Sequence, residues 1–151
     1  MEQSELEKRL IFLQSFKGKV ITGSPSPFMN WLKPVVISAE AGTLEFSYIV
    51  RKEMTNPMGT LHGGVTAGII DDLIGATVYA SGVSSLFTTV NNAIDYFSTA
   101  REGDEIVAKT TIIKKGRRVI NLQCEIFLPA KNNRMIARGY SNMLNVGQEG
   151  N

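Results

Sequence analysis

The sequence predicts an α+β fold in which a curved antiparallel β-sheet wraps around one buried helix, and three observations predict it. From His62 to Ser81 the residues Val65, Ala67, Ile69, Ile70, Leu73, Ile74, Ala76 and Val78 leave almost no polar face. A helix that is apolar nearly all round is enclosed by protein. Six runs of strand character flank it, two before and four after, and turn-forming residues separate them. Strands this numerous, with a single wholly apolar helix, are accommodated by a sheet that closes around that helix.

Taken in order, Ser4 followed by Glu7 has the spacing of a capping box, and Leu6, Leu10 and Leu13 recur at helical spacing until Lys17-Gly18 stops the run. The first element is therefore an amphipathic helix. A link containing Gly, Ser and Pro runs from Gly23 to Pro27. Residues 1–33 are expected to be this helix and its link, ahead of a core at 34–145, all within one domain spanning 1–151. Val35 to Glu40 and Leu44 to Val50 read as strands joined by a hairpin at Ala41-Gly42. In the second, Leu44, Phe46, Tyr48 and Val50 fall on one face and Glu45 and Ser47 on the other. Beyond the buried helix and Gly82, strands are expected at Leu86 to Phe97, Asp104 to Lys114, Arg118 to Leu128 and Met135 to Leu144. Ala100 to Gly103, Lys115 to Arg117 and Pro129 to Arg134 are the turns between them.

With 151 residues, 43% of them hydrophobic, the chain can bury a sizeable core without disulfides or a structural metal. Sixteen Lys and Arg against fourteen Asp and Glu leave a net charge of +2, too small a bias to imply nucleic-acid binding. One cysteine, Cys124, and one histidine, His62, cannot make a disulfide framework or a Cys/His zinc cluster, so no metal is expected. The mixed-sign N-terminus and the lack of an apolar run near the roughly 20 residues of a membrane span give an expectation of a cytoplasmic protein with no membrane partner.

Two places carry candidate chemistry. Gly63 and Gly64 sit where a loop becomes a helix, so their amides would be unpaired donors at the positive end of the helix dipole, able to hold a developing oxyanion. The plainer reading is a loop-to-helix junction that needs glycine for steric reasons, and both stand on the residues alone. Asp71 and Asp72 are, apart from His62, the only ionisable Asp, Glu, Lys or Arg between Glu53 and Asp95, in the middle of the apolar helix. A carboxylate there is costly unless hydrogen-bonded or used, so either at least one of the pair faces a pocket, or both point to a wet edge or cap a neighbouring loop.

The run Asn56-Pro-Met-Gly-Thr-Leu-His62-Gly-Gly64, followed by a buried helix bearing Asp71, resembles the phenylacetate-pathway (PaaI-like) branch of the hotdog-fold thioesterases. The order of elements agrees from about Val35 to Leu144, as do Tyr96-Phe-Ser-Thr-Ala-Arg-Glu-Gly103 and Lys115-Gly-Arg-Arg118. The resemblance implies hydrolysis of an acyl-CoA thioester without a cofactor. It implies Asp71 as the group that activates water or attacks the thioester, the Gly63 amide as the group that polarises the carbonyl, and Asn56 as a positioning residue. His62 would shape the turn, and Thr89, on the strand after the helix, would orient the water. Gly64 and Asp72 are expected to line the substrate site. Lys114, Lys115, Arg117 and Arg118 crowd a turn around Gly116. Such a turn is either a solvated surface or, for Lys115, Arg117 and Arg118, a holder of coenzyme A phosphates.

Residue identities do not give the shape of the pocket, so aryl, aryl-acetyl and medium-chain acyl groups all stay open. The competing readings are a hotdog hydratase or dehydratase, whose acid-base pair belongs to a different motif, and a non-catalytic acyl-CoA-binding hotdog protein. Nine residues separate His62 from Asp71, about 13 Å along a helix at roughly 1.5 Å per residue. Both ends act on one thioester only if they come from different copies of the chain, so a homodimer is the expected minimum and a homotetramer, a dimer of dimers, the expected assembly.

Overall fold

The computed structural model describes residues 3–148, so the two ends of the expected 1–151 domain lie outside the described residues. Its first element, α1 (Glu5–Gln14), starts at the anticipated capping box: Glu7 N–H donates to Ser4 Oγ at 3.2 Å and Ser4 N–H donates to Glu7 Oε2 at 2.9 Å. A second short helix, α2 (Pro27–Leu32), stands in what the sequence reading assigns to the link. Its local cause is plain. Ser26 accepts from Met29 N–H at 3.2 Å as the N-cap, and Pro27 occupies the first turn with its φ already set.

The strands are β1 (Val35–Glu40), β2 (Thr43–Ile49), β3 (Leu86–Tyr96), β4 (Glu105–Lys115), β5 (Val119–Leu128) and β6 (Arg134–Gly147), with α3 (Gly63–Ala80) between β2 and β3. They form one antiparallel sheet in the order β1-β2-β4-β5-β6-β3, curved around α3. This is the hotdog arrangement the sequence predicts. Alternation along β2 and β5 delivers Leu44, Phe46, Tyr48, Leu122, Cys124 and Ile126 to the helix, which answers with Ile69, Ile70, Leu73 and Ile74, all buried. Burying each such side chain contributes about 1.5–3 kcal/mol, which fixes the sheet's register as well as its curvature.

Three local features place the site. First, β3 is an edge strand that pairs only with β6 among the described residues, and an extra residue, Val90, bulges between Thr89 and Asn91. Second, α3 is held at its C-terminal end by cations: Arg9 Nη1 donates to the carbonyls of Tyr79 and Val83, each at 2.9 Å, and Lys115 Nζ donates to Ser81 O at 2.9 Å. Positive groups there satisfy open carbonyls and oppose the negative end of the helix dipole. Third, α2 lies over α3 where Gly68 leaves room for the Phe28 ring; a Cβ on Gly68 would fall 2.6 Å from it. Arg51 secures the end of α2 by donating to the carbonyls of Trp31 and Leu32.

Candidate active site

The segment before α3 is a tight turn organised by Asn56. Its Oδ1 accepts from the N–H groups of Met58 (3.0 Å) and Thr60 (3.1 Å), and its Nδ2 donates to Thr60 Oγ1 at 2.8 Å. This Asx-type bonding is what a short amide side chain does best in a turn. His62 is the N-cap of α3, its Nδ1 accepting from Gly64 N–H at 2.8 Å, which places the ring proton of the neutral imidazole on Nε2.

The two glycines then part company. Gly64 spends its amide on His62, and a Cβ there would sit 3.0 Å from Nδ1, so steric demand explains this glycine. Gly63 N–H donates to nothing among the described residues, and its carbonyl accepts from Tyr96 Oη at 2.9 Å. A Cβ on Gly63 would make only ordinary contact with the Tyr96 ring at 3.6 Å. Gly63 is therefore an open donor at a helix N-terminus, the arrangement that stabilises negative charge on a nearby oxygen.

Asp71 lies two turns further along α3 and is exposed at the edge-strand side. Its Oδ1 accepts from Thr89 Oγ1 at 2.8 Å and from Asn92 Nδ2 at 3.0 Å. Regular alternation would send residues 89 and 92 to opposite faces of β3. The Val90 bulge returns both to the helix side. Thr89 is an anticipated site residue. Asn92 is not, because period-two reading of β3 has no way to locate the bulge; the one available sign is an Asn-Asn pair in a strand, where asparagine is disfavoured.

Asp72 has a different environment. Its Oδ1 accepts from Ser26 Oγ at 3.2 Å, while Oδ2 is buried with no partner among the described residues. Burial pushes its carboxyl up to about 6, the Ser26 hydrogen bond pulling down and the neighbouring Asp71 charge adding to the rise. Both aspartates border a pocket of about 480 Å³ that runs from Asp71 and Thr89 at its rim between α3, the N-terminal helix and β3. Its walls are otherwise mostly apolar, Leu13, Met29, Phe87 and Met143 among them.

In a single chain the anticipated residues fall in three places. Asn56, His62, Gly63 and Gly64 gather at the N-terminal end of α3, Asp71 and Thr89 at its middle, and the basic turn beside its C-terminal end. Eight residues from Gly63 to Asp71 make about 12 Å of helix. Arg117 and Arg118 are exposed, whereas Lys115 already caps α3.

An antiparallel sheet curved around one long buried helix is the hotdog fold. Residues 58–131, about half of the chain, match the model of the thioesterase superfamily. Acyl-coenzyme A thioesterase 13 of Homo sapiens is 32% identical over 85 residues, 56% of this chain and 61% of that protein, so the match spans about three-fifths of the curated relative's length. The E. coli PaaI protein from the phenylacetic acid degradation operon superposes with a TM-score of 0.78 at 14% identity, over 95% of each chain. A hypothetical thioesterase of Streptococcus pneumoniae TIGR4, solved with coenzyme A, gives 0.70 at 19% identity over 78% of this chain and 88% of that one. These two likenesses are of fold.

Proposed function

We propose that this protein hydrolyses an acyl-CoA thioester to the free acid and coenzyme A, with Asp71 and the Gly63 amide as its catalytic groups. The observation that carries this reading is the held carboxylate. Asp71 Oδ1 takes two hydrogen bonds that fix the group at the rim of an apolar pocket and leave Oδ2 to do chemistry. In the water route, the water oxygen forms its bond to the thioester carbon as its proton passes to Asp71 Oδ2. In the nucleophilic route, Oδ2 forms that bond itself and water then hydrolyses the mixed anhydride. In both, negative charge develops on the carbonyl oxygen, where an open N–H such as that of Gly63 stabilises it, and the C–S bond breaks to release the thiolate. The match to acyl-coenzyme A thioesterase 13 and the coenzyme A in the S. pneumoniae structure support this substrate class.

The unit we propose is a two-fold dimer with two shared sites, each drawing Gly63 and Asn56 from one copy and Asp71, Thr89 and Asn92 from the other. The edge of β3, unpaired among the described residues and bearing the exposed apolar residues Leu86, Val90 and Tyr96, supports pairing there. A homotetramer would join two such dimers. Arg117 and Arg118 are positioned on an exposed turn suited to the phosphates of coenzyme A.

Release of free thiol from a panel of CoA thioesters tests the reading. Asp71→Asn should lower kcat by about two to four powers of ten, and Asp72→Asn far less. Equal and mild losses in the two variants would remove Asp71 from its role, and no thiol release by the native protein would leave a binding protein in place of an enzyme.

A further inference from the structure

The stripe of α3 that carries Asp71 continues at helical spacing through Gly75 to Tyr79, and all three border the 480 Å³ pocket. Gly75 stands in the interior of an 18-residue helix, where glycine is destabilising. Neither a turn nor a close neighbour calls for it. A Cβ built there meets no atom within 4 Å, whereas one on Gly68, two turns earlier, would strike Phe28. The space in front of Gly75 is the pocket itself, closed on the other side by residues such as Phe12, Ile21 and Met29 of the N-terminal segment. Its far end is firm. The Tyr79 ring lies 4.3 Å beneath the Arg9 guanidinium, which is itself anchored on two carbonyls.

We infer that Gly75 is the residue that sets acyl specificity, and that the acyl group it admits is a medium-length unbranched chain. This rests on the thioesterase reading above. With the carbonyl at Asp71, the chain runs down the stripe past Gly75 to Tyr79. Eight residues of helix give about 12 Å of track. An extended chain advances about 1.2 Å per bond, so roughly eight to ten carbons fill it. Any side chain at position 75 projects into the middle of that track, one turn below the carboxylate, and truncates it.

The test compares octanoyl-CoA with butanoyl-CoA in the native protein and in Gly75→Ala, Gly75→Leu and Gly75→Phe. The native ratio of kcat/KM, octanoyl over butanoyl, should exceed one and fall in order of side-chain size, by roughly a hundredfold for Phe, since four methylenes lose their burial. Thermal melting identifies folded variants, and Gly75→Leu carries the test if Gly75→Phe does not fold. A ratio that stays flat across folded variants overturns the assignment while leaving the hydrolase reading intact. Binding of 2-oxononyl-CoA, a non-hydrolysable analogue of octanoyl-CoA, is measured by calorimetry alongside. Its affinity should survive Asp71→Asn and drop at least tenfold in Gly75→Leu. Gly75-dependent binding by a protein that releases no thiol would sink the hydrolase reading and keep the pocket; equal affinity in Gly75→Leu and the native protein would sink the pocket assignment.

Discussion

Asp71 and Asp72 are adjacent and chemically identical, yet the fold makes them opposites. One is exposed and doubly hydrogen-bonded; the other keeps a buried oxygen without a partner among the described residues. Thr89→Val removes one of the two donors at constant shape, and kcat should fall about tenfold as the carboxylate loses its orientation, a loss read by steady-state kinetics with KM little changed. Asp72 makes a stability prediction. Its folded value of about 6 lies above the ordinary 3.8, so the native state holds the extra proton between those limits. The contribution is fully present below about pH 4 and is lost as pH rises through 6. Asp72→Asn should therefore raise the unfolding free energy at pH 7.5 by roughly 1 kcal/mol once solvent screening of this partly exposed group is allowed for, read as a higher melting temperature, with the gain vanishing near pH 4. An unchanged difference between those pH values would refute the assignment. Much of this was legible in the sequence: two carboxylates in an apolar helix announce themselves. What separates them was not, because Ser26 and Asn92 reach the pair from distant parts of the chain.

Among the elements, α3 and the sheet follow directly from periodicity, whose strand ends fall within a few residues of the observed ones. The short helix α2 escaped that reading although its Ser26-Pro27 start is a recognisable signal, because six residues are too few for an amphipathic pattern to develop. Its seat on α3 is testable. Gly68→Ala should push Phe28 aside and cost about 1–3 kcal/mol of overpacking, visible as a lower urea midpoint; the same change at Gly75, where no atom waits, should instead stabilise by about 1 kcal/mol. The β4–β5 turn holds its cations in two settings, Lys115 on a helix terminus and Arg117 and Arg118 exposed. Lys115 caps α3, so its loss should lower stability. Reversing Arg117 and Arg118 together should raise KM for a full CoA thioester and leave a pantetheine thioester, which lacks the nucleotide phosphates, unaffected. Equal effects on both substrates would return the turn to a structural role.

At the scale of the whole molecule, a rigid α3 keeps its two candidate half-sites about 12 Å apart, and no flexing of one chain brings them to a single carbonyl. Mixing an Asp71→Asn chain with one carrying Asn56→Ala and Gly63→Pro should restore about half the native activity per heterodimer, since one shared site then holds both defects and the other none. Heterodimers confirmed by mass but inactive would exclude sharing. Helix arithmetic made this separation legible before any coordinates. The role of the β3 edge was not, since strand order is set by pairings between distant parts of the chain.

Tyr96 closes β3 by donating its hydroxyl to the carbonyl of Gly63, and β3 also carries Thr89 and Asn92 to Asp71. One strand thus touches both ends of the proposed chemistry while presenting an open flank. The shared-site dimer proposed above would make such a protein read its own abundance. On dilution below the dissociation constant of the proposed dimer, each chain would lose its turnover, and the exposed flank would become a liability to be cleared by proteolysis. Gene dosage, through mass action alone, would then adjust activity more steeply than in proportion to copy number.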